Sequence, residues 1–456
     1  MMGAFHAYDI RGVYGKDFDR ETAYKVGYFV PGLLGADKVL VGRDCRVSSQ
    51  EIHDALVAGI CDAGADVYDL GLSSTPLVYF GTANYGFKAS VQITASHNPA
   101  EYNGMKISRE NALPVGLDSG LGQIQEWIEN DRETPVAASR GKVTDIDVRR
   151  EYIDFLMRFK GDYSNIKIAF DLSNGMANLF AKEIYKEDNA EFLFDTIDGR
   201  FPNHDPNPLI AANVEPLREL VRRSGADVGV IYDGDADRVM FVDDKAEFVA
   251  PDLVIALMSR YFIGARRERN PRVLQEIRSS KAVKEYLEAQ GCDVRTWRVG
   301  RAYAAPRLRE IDGLWGGELA GHYYFKDFFY SDSGILASMI VLRIVSDLKK
   351  EGRTLSEAMA EIAKYRNSGE INFRVEDKQG AMEAVKDYFS SRETVETIMD
   401  FDGYRLEFAQ WWFNIRPSNT EPYLRFICEA GSDELLQEKV RIVTEIIEKR
   451  FGGSRA

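Results

Sequence analysis

Hydrophobic positions along the first two-thirds of the chain form a recurring unit of strand, helix and strand. In the first copy, the apolar run KVLVGRD (38–44) precedes a helical pattern, and ADVYDLG (65–71) follows it. The apolar face of this helix consists of Ile52, Leu56, Val57 and Ile60. Ser48 and Glu51 have the spacing of a capping box, which predicts that Ser48 caps the start of the helix.

Two further copies of this unit follow. Their segments are IKIAFDLSNG (166–175), a helix through Ile184 and AEFLFD (190–195), then RVLQEIRSS (272–280), a helix ending near Gly291 and CDVRTWRVG (292–300). Strands that are almost continuously apolar and separated by helices are typical of parallel sheets covered on both faces. The pattern therefore predicts three similar α/β domains.

The last ninety or so residues have a different pattern. Strand-like segments occur at 371–376, 404–409, 411–416 and 424–430, and helical ones at about 379–391 and from Asp433 onward. Strands that follow one another without helices indicate an antiparallel α+β module. Together with polar stretches between the units, this predicts four domains at 1–145, 146–246, 247–366 and 367–456.

Composition and charge exclude several classes of protein. The 456 residues are enough for about three or four domains. The net charge of -14 argues against a nucleic-acid-binding protein, which needs a surplus of Lys and Arg, but allows a local basic pocket for a phosphorylated substrate. The N-terminus has no signal-peptide pattern, and the most apolar stretch, 335–345, is too short to span a membrane. With four widely spaced cysteines, we expect a cytoplasmic protein with reduced thiols and no membrane partner.

A serine loop follows the apolar stretch Ala89–Ile93. The segment QITASHNP (92–99) holds Ser96 and His97, which raises the question of a nucleophile with its base. Side chains of successive residues in an extended backbone point apart, so His97 is poorly placed to act on Ser96. The GxSxG pattern of hydrolases is also absent from this segment. A serine hydrolase is therefore disfavoured.

Three alternating carboxylates follow the strand ADVGVIY (226–232). Asp233, Asp235 and Asp237 in IYDGDADR can converge on one point, where an Mg²⁺ or Ca²⁺ ion would offset their repulsion. Asp244 completes an EF-hand-like spacing, but Arg238 stands where that loop needs glycine, so the EF-hand is rejected. An acidic, solvated turn is the remaining alternative to a metal site.

Other loops carry weaker signals. Glu318 and His322 lie in the glycine-rich WGGELAGHYYF (315–325), where a carboxylate can bind sugar hydroxyls. RPSNTEPYLR (416–425) offers hydroxyls, turn amides and arginines of the kind that bind phosphate, although such turns are often only structural. Arginines also follow apolar stretches near the N-terminus, at positions 11, 43 and 46.

Taken together, these motifs resemble the α-D-phosphohexomutase superfamily, in its phosphomannomutase/phosphoglucomutase group. TASHNP, DGDADR, GGE-x-x-GH and RPSNTEP occur in the family's order, and the resemblance covers nearly the whole chain. It implies three α/β domains with mixed, largely parallel sheets and an antiparallel α+β domain around a central cleft. It also implies interconversion of hexose 1-phosphate and 6-phosphate through a phosphoserine and a hexose 1,6-bisphosphate, by a monomer or homodimer.

The same resemblance implies roles for individual residues. Ser96 carries the phosphoryl group, and Ser96 with Asp233, Asp235 and Asp237 binds Mg²⁺. The residues at the reacting hydroxyl are Arg11, Lys106 and His322, the last two as acid/base candidates. Those that bind substrate are Arg238, Gly300, Glu318, Arg416, Ser418, Asn419, Thr420 and Arg425. His97 and Asn98 shape the serine loop.

Two positions depart from the family pattern, and both are expected to affect which sugar is bound. Ala320 stands where relatives commonly have Ser, and Arg301 stands where His or Asp is more usual. YSDSG (330–334) looks more like phosphomannomutases than phosphoglucosamine mutases. Three alternatives remain at this point: a phosphoglucosamine mutase, a non-catalytic sugar-phosphate-binding homologue and a metal-dependent phosphatase.

Overall fold

The computed structural model describes residues 3–418 and 422–456. It contains four sheets, each with its own helices. Among the described residues, no helix has the length and apolar character needed to cross a bilayer. The apolar stretch 335–345 is instead part of a buried helix.

The first sheet has the strand order β1-β5-β4-β2-β3-β7, with β6 beside β5. Its strands are Ile10–Val13 (β1), Lys38–Arg43 (β2), Asp66–Leu72 (β3), Ala89–Ile93 (β4), Tyr102–Arg109 (β5), Leu113–Pro114 (β6) and Val143–Asp145 (β7). The accompanying helices are Arg20–Leu34 (α1), Ser49–Asp62 (α2), Thr75–Asn84 (α3) and Leu121–Glu129 (α4). Strands β4, β2, β3 and β7 are parallel, whereas β5 runs antiparallel to β4.

The second sheet has the order β12-β11-β10-β8-β9. Its strands are Ile168–Asp171 (β8), Ala190–Leu193 (β9), Val228–Tyr232 (β10), Val239–Val242 (β11) and Phe248–Val249 (β12). Its helices are Arg149–Met157 (α5), Ala181–Ile184 (α6) and Ala211–Ser224 (α7). The limits of the predicted domains stay predictions, and β12 lies just beyond the predicted end of the second one.

The third sheet has the order β14-β13-β15-β16-β17. Its strands are Arg272–Glu276 (β13), Asp293–Trp297 (β14), Trp315–Gly317 (β15), Tyr323–Phe325 (β16) and Ser331–Asp332 (β17). Its helices are Pro251–Leu257 (α8), Lys281–Ala289 (α9), Arg301–Glu310 (α10), Gly334–Lys350 (α11) and Leu355–Ile362 (α12), with a π-helical turn at Arg260–Ala265. Helix α11 packs into a core shared with the second sheet, where Tyr232 Oη lies 2.6 Å from Ser338 Oγ.

The three sheets share one topology, which explains where the motif loops lie. In each of them, a central parallel strand (β4, β10 or β15) leads through a loop into an antiparallel strand (β5, β11 or β16). These three connections are the serine loop (94–101), the aspartate loop (233–238) and the glutamate loop (318–322). All three begin at the carboxyl end of a parallel strand, the edge where open α/β sheets bind ligands.

The fourth sheet is antiparallel, with the order β20-β21-β22-β23-β19-β24 and β18 beside β23. Its strands are Arg366–Asn367 (β18), Ile371–Arg374 (β19), Thr397–Met399 (β20), Tyr404–Glu407 (β21), Trp411–Pro417 (β22), Leu424–Ala430 (β23) and Ser454–Arg455 (β24). Its helices are Lys378–Ser390 (α13) and Asp433–Phe451 (α14). The predicted fold class is therefore confirmed.

Two local predictions were wrong. Ser48 precedes α2, but its side chain makes no capping bond because its backbone is already helical, with φ -80 and ψ -11. Its Oγ instead accepts a bond from Asn103 Nδ2 at 2.9 Å. The single helix predicted through Ile184 is also divided, into a 3₁₀ turn at Met176–Leu179 and α6.

A buried polar network joins the third and fourth domains. Asp252, in the first turn of α8, accepts a bond from the Ser280 backbone N–H at 2.7 Å. Ser280 Oγ donates to Glu429 Oε2 on β23, also at 2.7 Å. Burial, and then the charge of Glu429, raise the pKa of Asp252 to about 7. Ionising Asp252 therefore costs stability in the folded protein.

Asp252→Asn is expected to stabilise the protein at pH 8 and to have little effect at pH 3. The pKa of Asp252 rises on folding from 3.8 to about 7, so the wild type loses stability as the pH increases between these values, and the amide does not. At about 1.4 kcal/mol per pH unit, the gain at pH 8 is roughly 2–4 kcal/mol. Thermal unfolding midpoints measured across this range test it, with the exposed Asp118→Asn as control. A pH-independent offset would contradict the prediction.

Candidate active site

The serine, aspartate and glutamate loops meet at one place. Ser96 Oγ donates a hydrogen bond to Asp233 Oδ2 at 2.7 Å, which joins the first domain to the second. A backbone bridge between Arg238 and His322 joins the second domain to the third. Gly234 lies so close to the serine loop that a Cβ there would stand 2.5 Å from the Ser96 carbonyl oxygen. These contacts place residues from three domains in one site.

A buried arginine holds the serine loop in shape. Ser96 has a left-handed backbone, with φ 51, and its N–H donates to Thr94 Oγ1 at 2.9 Å. The Arg46 guanidinium donates to four carbonyl oxygens, those of Ser96 at 2.9 Å, Asn98 at 2.6 Å, Pro99 at 2.5 Å and Tyr102 at 3.0 Å. Because these bonds use the backbone, they orient the loop whatever its side chains do. The Ser96 hydroxyl is thereby directed at the carboxylates.

Asn98 and His97, which follow Ser96, differ in their contacts. Asn98 Oδ1 accepts a bond from Arg11 Nη1 at 2.9 Å, and Arg11 also pairs with Asp9. His97 Nδ1 is buried and has no hydrogen-bond partner among the described residues. Burial, together with the positive charge of Arg238 and Arg11, lowers the pKa of His97 well below its usual value. His97 is thus a poor base.

The three aspartates form a fully buried cluster. Asp233, Asp235 and Asp237 offer ligand oxygens that lie within 4.8 Å of one another. Lys106 Nζ reaches across from β5, 2.7 Å from Asp235 Oδ2 and 2.5 Å from Asp237 Oδ2. Burial, then the charges of Asp235 and Asp237, raise the pKa of Asp233 well above its ordinary value. One ammonium group therefore does not neutralise the cluster.

The free oxygens of the cluster suit a metal ion. Within the described residues, Asp235 Oδ1 and Asp237 Oδ1 are buried without a hydrogen-bond partner. A buried carboxylate oxygen without a donor is costly, and a hard cation is its natural ligand. The remaining oxygen of Asp235 is already held by Lys106 and by Thr75 Oγ1, the latter at 2.5 Å. The alternative of a solvated acidic turn is ruled out by the burial of all three carboxylates.

His322 faces this cluster from the third domain. Its Nδ1 donates to Asp332 Oδ2 at 2.6 Å and lies 3.8 Å from Asp237 Oδ1. Burial alone would raise the pKa of Asp332, but the bond from His322 lowers it to about 2. Asp332 is therefore ionised and fixes the proton of His322 on Nδ1, which leaves Nε2 for other partners.

Arg301 does not have the environment expected of a sugar contact. Its Nε donates to Asp332 Oδ1 at 3.0 Å and its Nη2 donates to the Ala112 carbonyl at 2.9 Å. The guanidinium carbon lies 3.8 Å from the centre of the Tyr79 ring. These contacts direct the side chain behind His322 and into the first domain.

The glutamate loop presents a buried carboxylate, and Gly300, another predicted substrate-binding residue, lies close to an aromatic ring. Glu318 Oε1 accepts a bond from Tyr324 Oη at 2.6 Å, and burial raises the pKa of Glu318. Gly300 precedes α10 with φ 111, and a Cβ there would stand 2.5 Å from the Tyr8 ring. Only glycine fits Gly300 because of both the backbone conformation and the ring. Ala320 is half-buried in the same loop as Glu318.

The phosphate-type loop joins β22 to β23 in the fourth domain. Arg416 and Arg425 lie directly opposite each other on these strands, and the Ser418 N–H donates to the Tyr423 carbonyl at 2.9 Å. Asn419 and Thr420, also predicted for this loop, lie outside the described residues. Two like charges opposite each other repel, so this pair needs anions close by.

Two carboxylates supply that charge and connect the loop to the third domain. Asp402 Oδ1 lies 3.1 Å from Arg416 Nη1, and its Oδ2 accepts a backbone N–H from the segment before α10 at 3.0 Å. Glu370 Oε1 lies 3.2 Å from Arg425 Nη1, and its Oε2 lies 3.1 Å from Arg278 Nη1. The arginines are thus held toward the third domain.

Family models match nearly the whole chain, in order. They describe the phosphoglucomutase/phosphomannomutase alpha/beta/alpha domains I, II and III, at residues 2–134, 150–246 and 250–365, and the C-terminal domain at 370–446. The chain belongs to the phosphoglucomutase/phosphomannomutase family.

Relatives with similar sequences and structures carry names of the same family. A phosphomannomutase from Methanocaldococcus jannaschii is 35% identical over 449 residues, 98% of this chain and 97% of that protein. One from Escherichia coli strain K12 is 34% identical over 95% of this chain and 96% of its own length. The crystal structure of a phosphoglucomutase/phosphomannomutase family protein from Burkholderia thailandensis has a TM-score of 0.87 and 25% identity, covering 100% of this chain and 99% of that one. The predicted function class, a phosphohexomutase-type isomerase, is confirmed, and the non-catalytic alternative is not favoured.

Three residues of this family member's site escaped the sequence prediction. Arg46 was noted only as one arginine among several, although it holds the serine loop. Asp332 stands opposite Tyr324 in the β16–β17 pair, close to His322, and a predicted hairpin register could have revealed it. Thr75, which donates to Asp235, gave no signal, because its contact joins residues of different domains.

Proposed function

We propose that this phosphohexomutase interconverts the 1-phosphate and 6-phosphate of mannose, glucose or both through a phosphorylated Ser96. The observation that carries the proposal is the 2.7 Å hydrogen bond from Ser96 Oγ to Asp233, inside a cluster of three buried carboxylates. A serine directed at such a cluster cannot rely on its neighbour His97 as a base, since burial and nearby positive charges strongly lower the pKa of that histidine. It is, however, suitably placed to carry a phosphoryl group next to a metal.

The residues present fit Mg²⁺. Ser96 Oγ, Asp233, Asp235 and Asp237 would hold the ion, and the orphaned oxygens of Asp235 and Asp237 support this assignment. When bound, Mg²⁺ neutralises charge on the phosphoryl oxygens. Oxygen ligands with this charge favour Mg²⁺ over softer metals.

The chain's own residues then orient the sugar and move its proton. In the forward step, a sugar hydroxyl oxygen forms a new bond to phosphorus as the bond from Ser96 Oγ breaks, which yields the hexose 1,6-bisphosphate. Burial alone would lower the pKa of Lys106, but Asp235 and Asp237 raise it above its ordinary value, so Lys106 remains a charge-neutralising ammonium. His322, with Nε2 available, is the better acceptor for the hydroxyl proton.

The other predicted residues supply binding. Glu318 has the buried carboxylate that suits sugar hydroxyls, and Gly300 would contribute its backbone to substrate binding. Arg416 and Arg425, with Ser418, Asn419 and Thr420, form the proposed site for the phosphate that does not react. Arg11 and Arg238 line the serine and aspartate loops, where the transferred phosphoryl would lie. After the bisphosphate turns around, either end of the sugar would use these sites.

The test is turnover of mannose 1-phosphate, glucose 1-phosphate and glucosamine 1-phosphate with Mg²⁺ and a hexose 1,6-bisphosphate activator. We expect the first two to be converted to their 6-phosphates and glucosamine 1-phosphate to react more slowly. A preference for glucosamine 1-phosphate would assign the phosphoglucosamine mutase alternative. Steady release of inorganic phosphate would identify a phosphatase, and binding without any turnover would contradict the proposal. A monomer or homodimer in the cytoplasm, with no nucleic-acid partner, stays a prediction.

A further inference from the structure

Arg301 lies at the first position of α10 and is paired with a residue of the site. Its Nε donates to Asp332 Oδ1 at 3.0 Å, and only 10% of its side chain is exposed. The carboxylate of Asp332 is fully buried and shared, because its other oxygen accepts the Nδ1–H of His322 at 2.6 Å. Arg301, Asp332 and His322 thus form a linear chain of hydrogen bonds.

The same guanidinium joins two domains. Its Nη2 donates to the Ala112 carbonyl at 2.9 Å, and its plane packs on Tyr79, with 3.8 Å between the guanidinium carbon and the ring centre. Ala112 and Tyr79 both belong to the first domain, whereas Asp332 belongs to the third. An arginine is suited to this position because its fixed fork can satisfy a carboxylate and a carbonyl while stacking on a ring.

We propose that Arg301 is a positioning residue that fixes the Asp332 carboxylate and, through it, the ring orientation and tautomer of His322. Because Arg301 also contacts the first domain, this arrangement depends on the contact between the first and third domains. The inference rests on the proposed function, in which His322 accepts the proton of the sugar hydroxyl. Without Arg301, Asp332 Oδ1 loses the donor that holds it in a buried site. The carboxylate can then rotate, and His322 loses its fixed direction.

Another arginine of the same helix provides a matched control. Arg309 also reaches the first domain, where its Nη2 donates to the Asn111 carbonyl at 3.3 Å, and it donates to the Phe329 carbonyl at 2.9 Å. It stacks on Tyr330, with 4.7 Å between the guanidinium carbon and the ring centre. All of these acceptors are backbone carbonyls. A variant of Arg309 therefore removes a domain-bridging arginine and leaves the Asp332–His322 pair untouched.

The experiment compares the kinetics of Arg301→Gln, Arg301→Lys and Arg309→Gln with those of the wild type. Arg301→Gln is expected to lower kcat by about 10- to 100-fold, the usual effect of losing a partner that orients a functional side chain, with KM nearly unchanged. Arg301→Lys keeps a cation beside Asp332 and should recover part of kcat. Arg309→Gln should have the wild-type kcat.

Several outcomes would overturn the inference. A higher KM with an unchanged kcat in Arg301→Gln would mean that Arg301 binds the substrate directly. An equal loss of kcat in Arg309→Gln would mean that Arg301 only helps to hold the two domains together. The same conclusion would follow if Arg301→Lys had a kcat no higher than that of Arg301→Gln. If Arg301→Gln does not fold, the kcat values of Arg301→Lys and Arg309→Gln are compared instead. A lower kcat in Arg301→Lys with KM nearly unchanged supports the inference, and equal kcat values overturn it.

A second measurement separates this inference from the proposed function. If the wild type shows no turnover, the proposed function is contradicted. A double-mutant cycle of thermal stability with Arg301→Gln and Asp332→Asn still measures the interaction between Arg301 and Asp332, because it does not depend on turnover. Non-additive effects in that cycle support the pairing of Arg301 with Asp332. Additive effects overturn the positioning role whether or not the enzyme turns over.

Discussion

Ser96→Ala is expected to abolish mutase turnover and to remove the phosphoryl group from the purified protein. Ser96 Oγ is the hydroxyl that the serine loop directs at the carboxylate cluster, at 2.7 Å from Asp233 Oδ2. Without the carrier oxygen no covalent intermediate forms, so kcat/KM should fall on the order of 10⁴-fold or more. Intact-protein mass spectrometry after incubation with a hexose 1,6-bisphosphate should show a single phosphoryl increment in the wild type and none in the variant.

Ser48→Ala is the matched control for this change. Ser48 is a half-buried serine of the same domain, and its Oγ accepts a bond from Asn103 rather than facing the cluster. This variant should keep both the phosphoryl increment and turnover. A phosphoryl group that persists in Ser96→Ala, or turnover within a few-fold of the wild type, would mean that another residue is the carrier.

The hydrogen bond of Ser96 also explains why the carrier and the metal site belong together. In the unmodified protein, the Ser96 hydroxyl donates to Asp233, a carboxylate whose pKa is already raised by burial and by two neighbouring carboxylates. Phosphorylation would remove this donor and add a charge of about -1.5 to -2 at the same place. Lys106 already pairs with Asp235 and Asp237, and Arg238 Nε lies 3.7 Å from Asp233 Oδ2, so a phosphorylated Ser96 would bring more negative charge than these two cations offset.

The sequence predicted the fold through local signals that repeat. The serine and aspartate loops each directly follow an apolar strand, and a parallel strand of an α/β sheet ends at the edge where ligands bind. Because 89–93 and 226–232 were recognised as strands, the positions of Ser96 and Asp233 at such edges followed, whereas the short strand β15 before Glu318 was not predicted. The start of α14 at Asp433 was also predicted, and in the structure Ser432 Oγ caps this helix by accepting a bond from the Leu435 N–H.

The connections between domains could not be predicted in this way. Arg46 and Arg301 each look like a turn or helix-start arginine, and their roles come from carbonyls and carboxylates distant in sequence. The capping prediction for Ser48 was wrong for a local reason, because the Ser48 backbone is already helical and its Oγ accepts a bond from Asn103 instead. Motif spacing indicates which residues carry chemistry, whereas the residues that orient them depend on how the domains pack.

Asp235→Asn is expected to lower turnover by about 1000-fold or more and to abolish stabilisation of the protein by Mg²⁺. Asp235 Oδ1 is one of the buried oxygens without a hydrogen-bond partner among the described residues, and an amide cannot replace its charge. The metal-free fold should survive. The variant weakens one bond to Lys106, which keeps Asp237, and it relieves repulsion in a cluster where the pKa of Asp233 is raised.

Thermal unfolding with and without Mg²⁺ separates this metal assignment from a general loss of structure. The wild-type midpoint should rise with Mg²⁺ concentration, as it does for any ligand that binds only the folded state, and that of Asp235→Asn should not. Asp244→Asn is the control, because Asp244 follows the same hairpin but its carboxylate accepts bonds from the Ser356 N–H and hydroxyl. If Asp235→Asn loses turnover yet keeps the full Mg²⁺ response, Asp235 acts by holding Lys106 and the ion binds elsewhere.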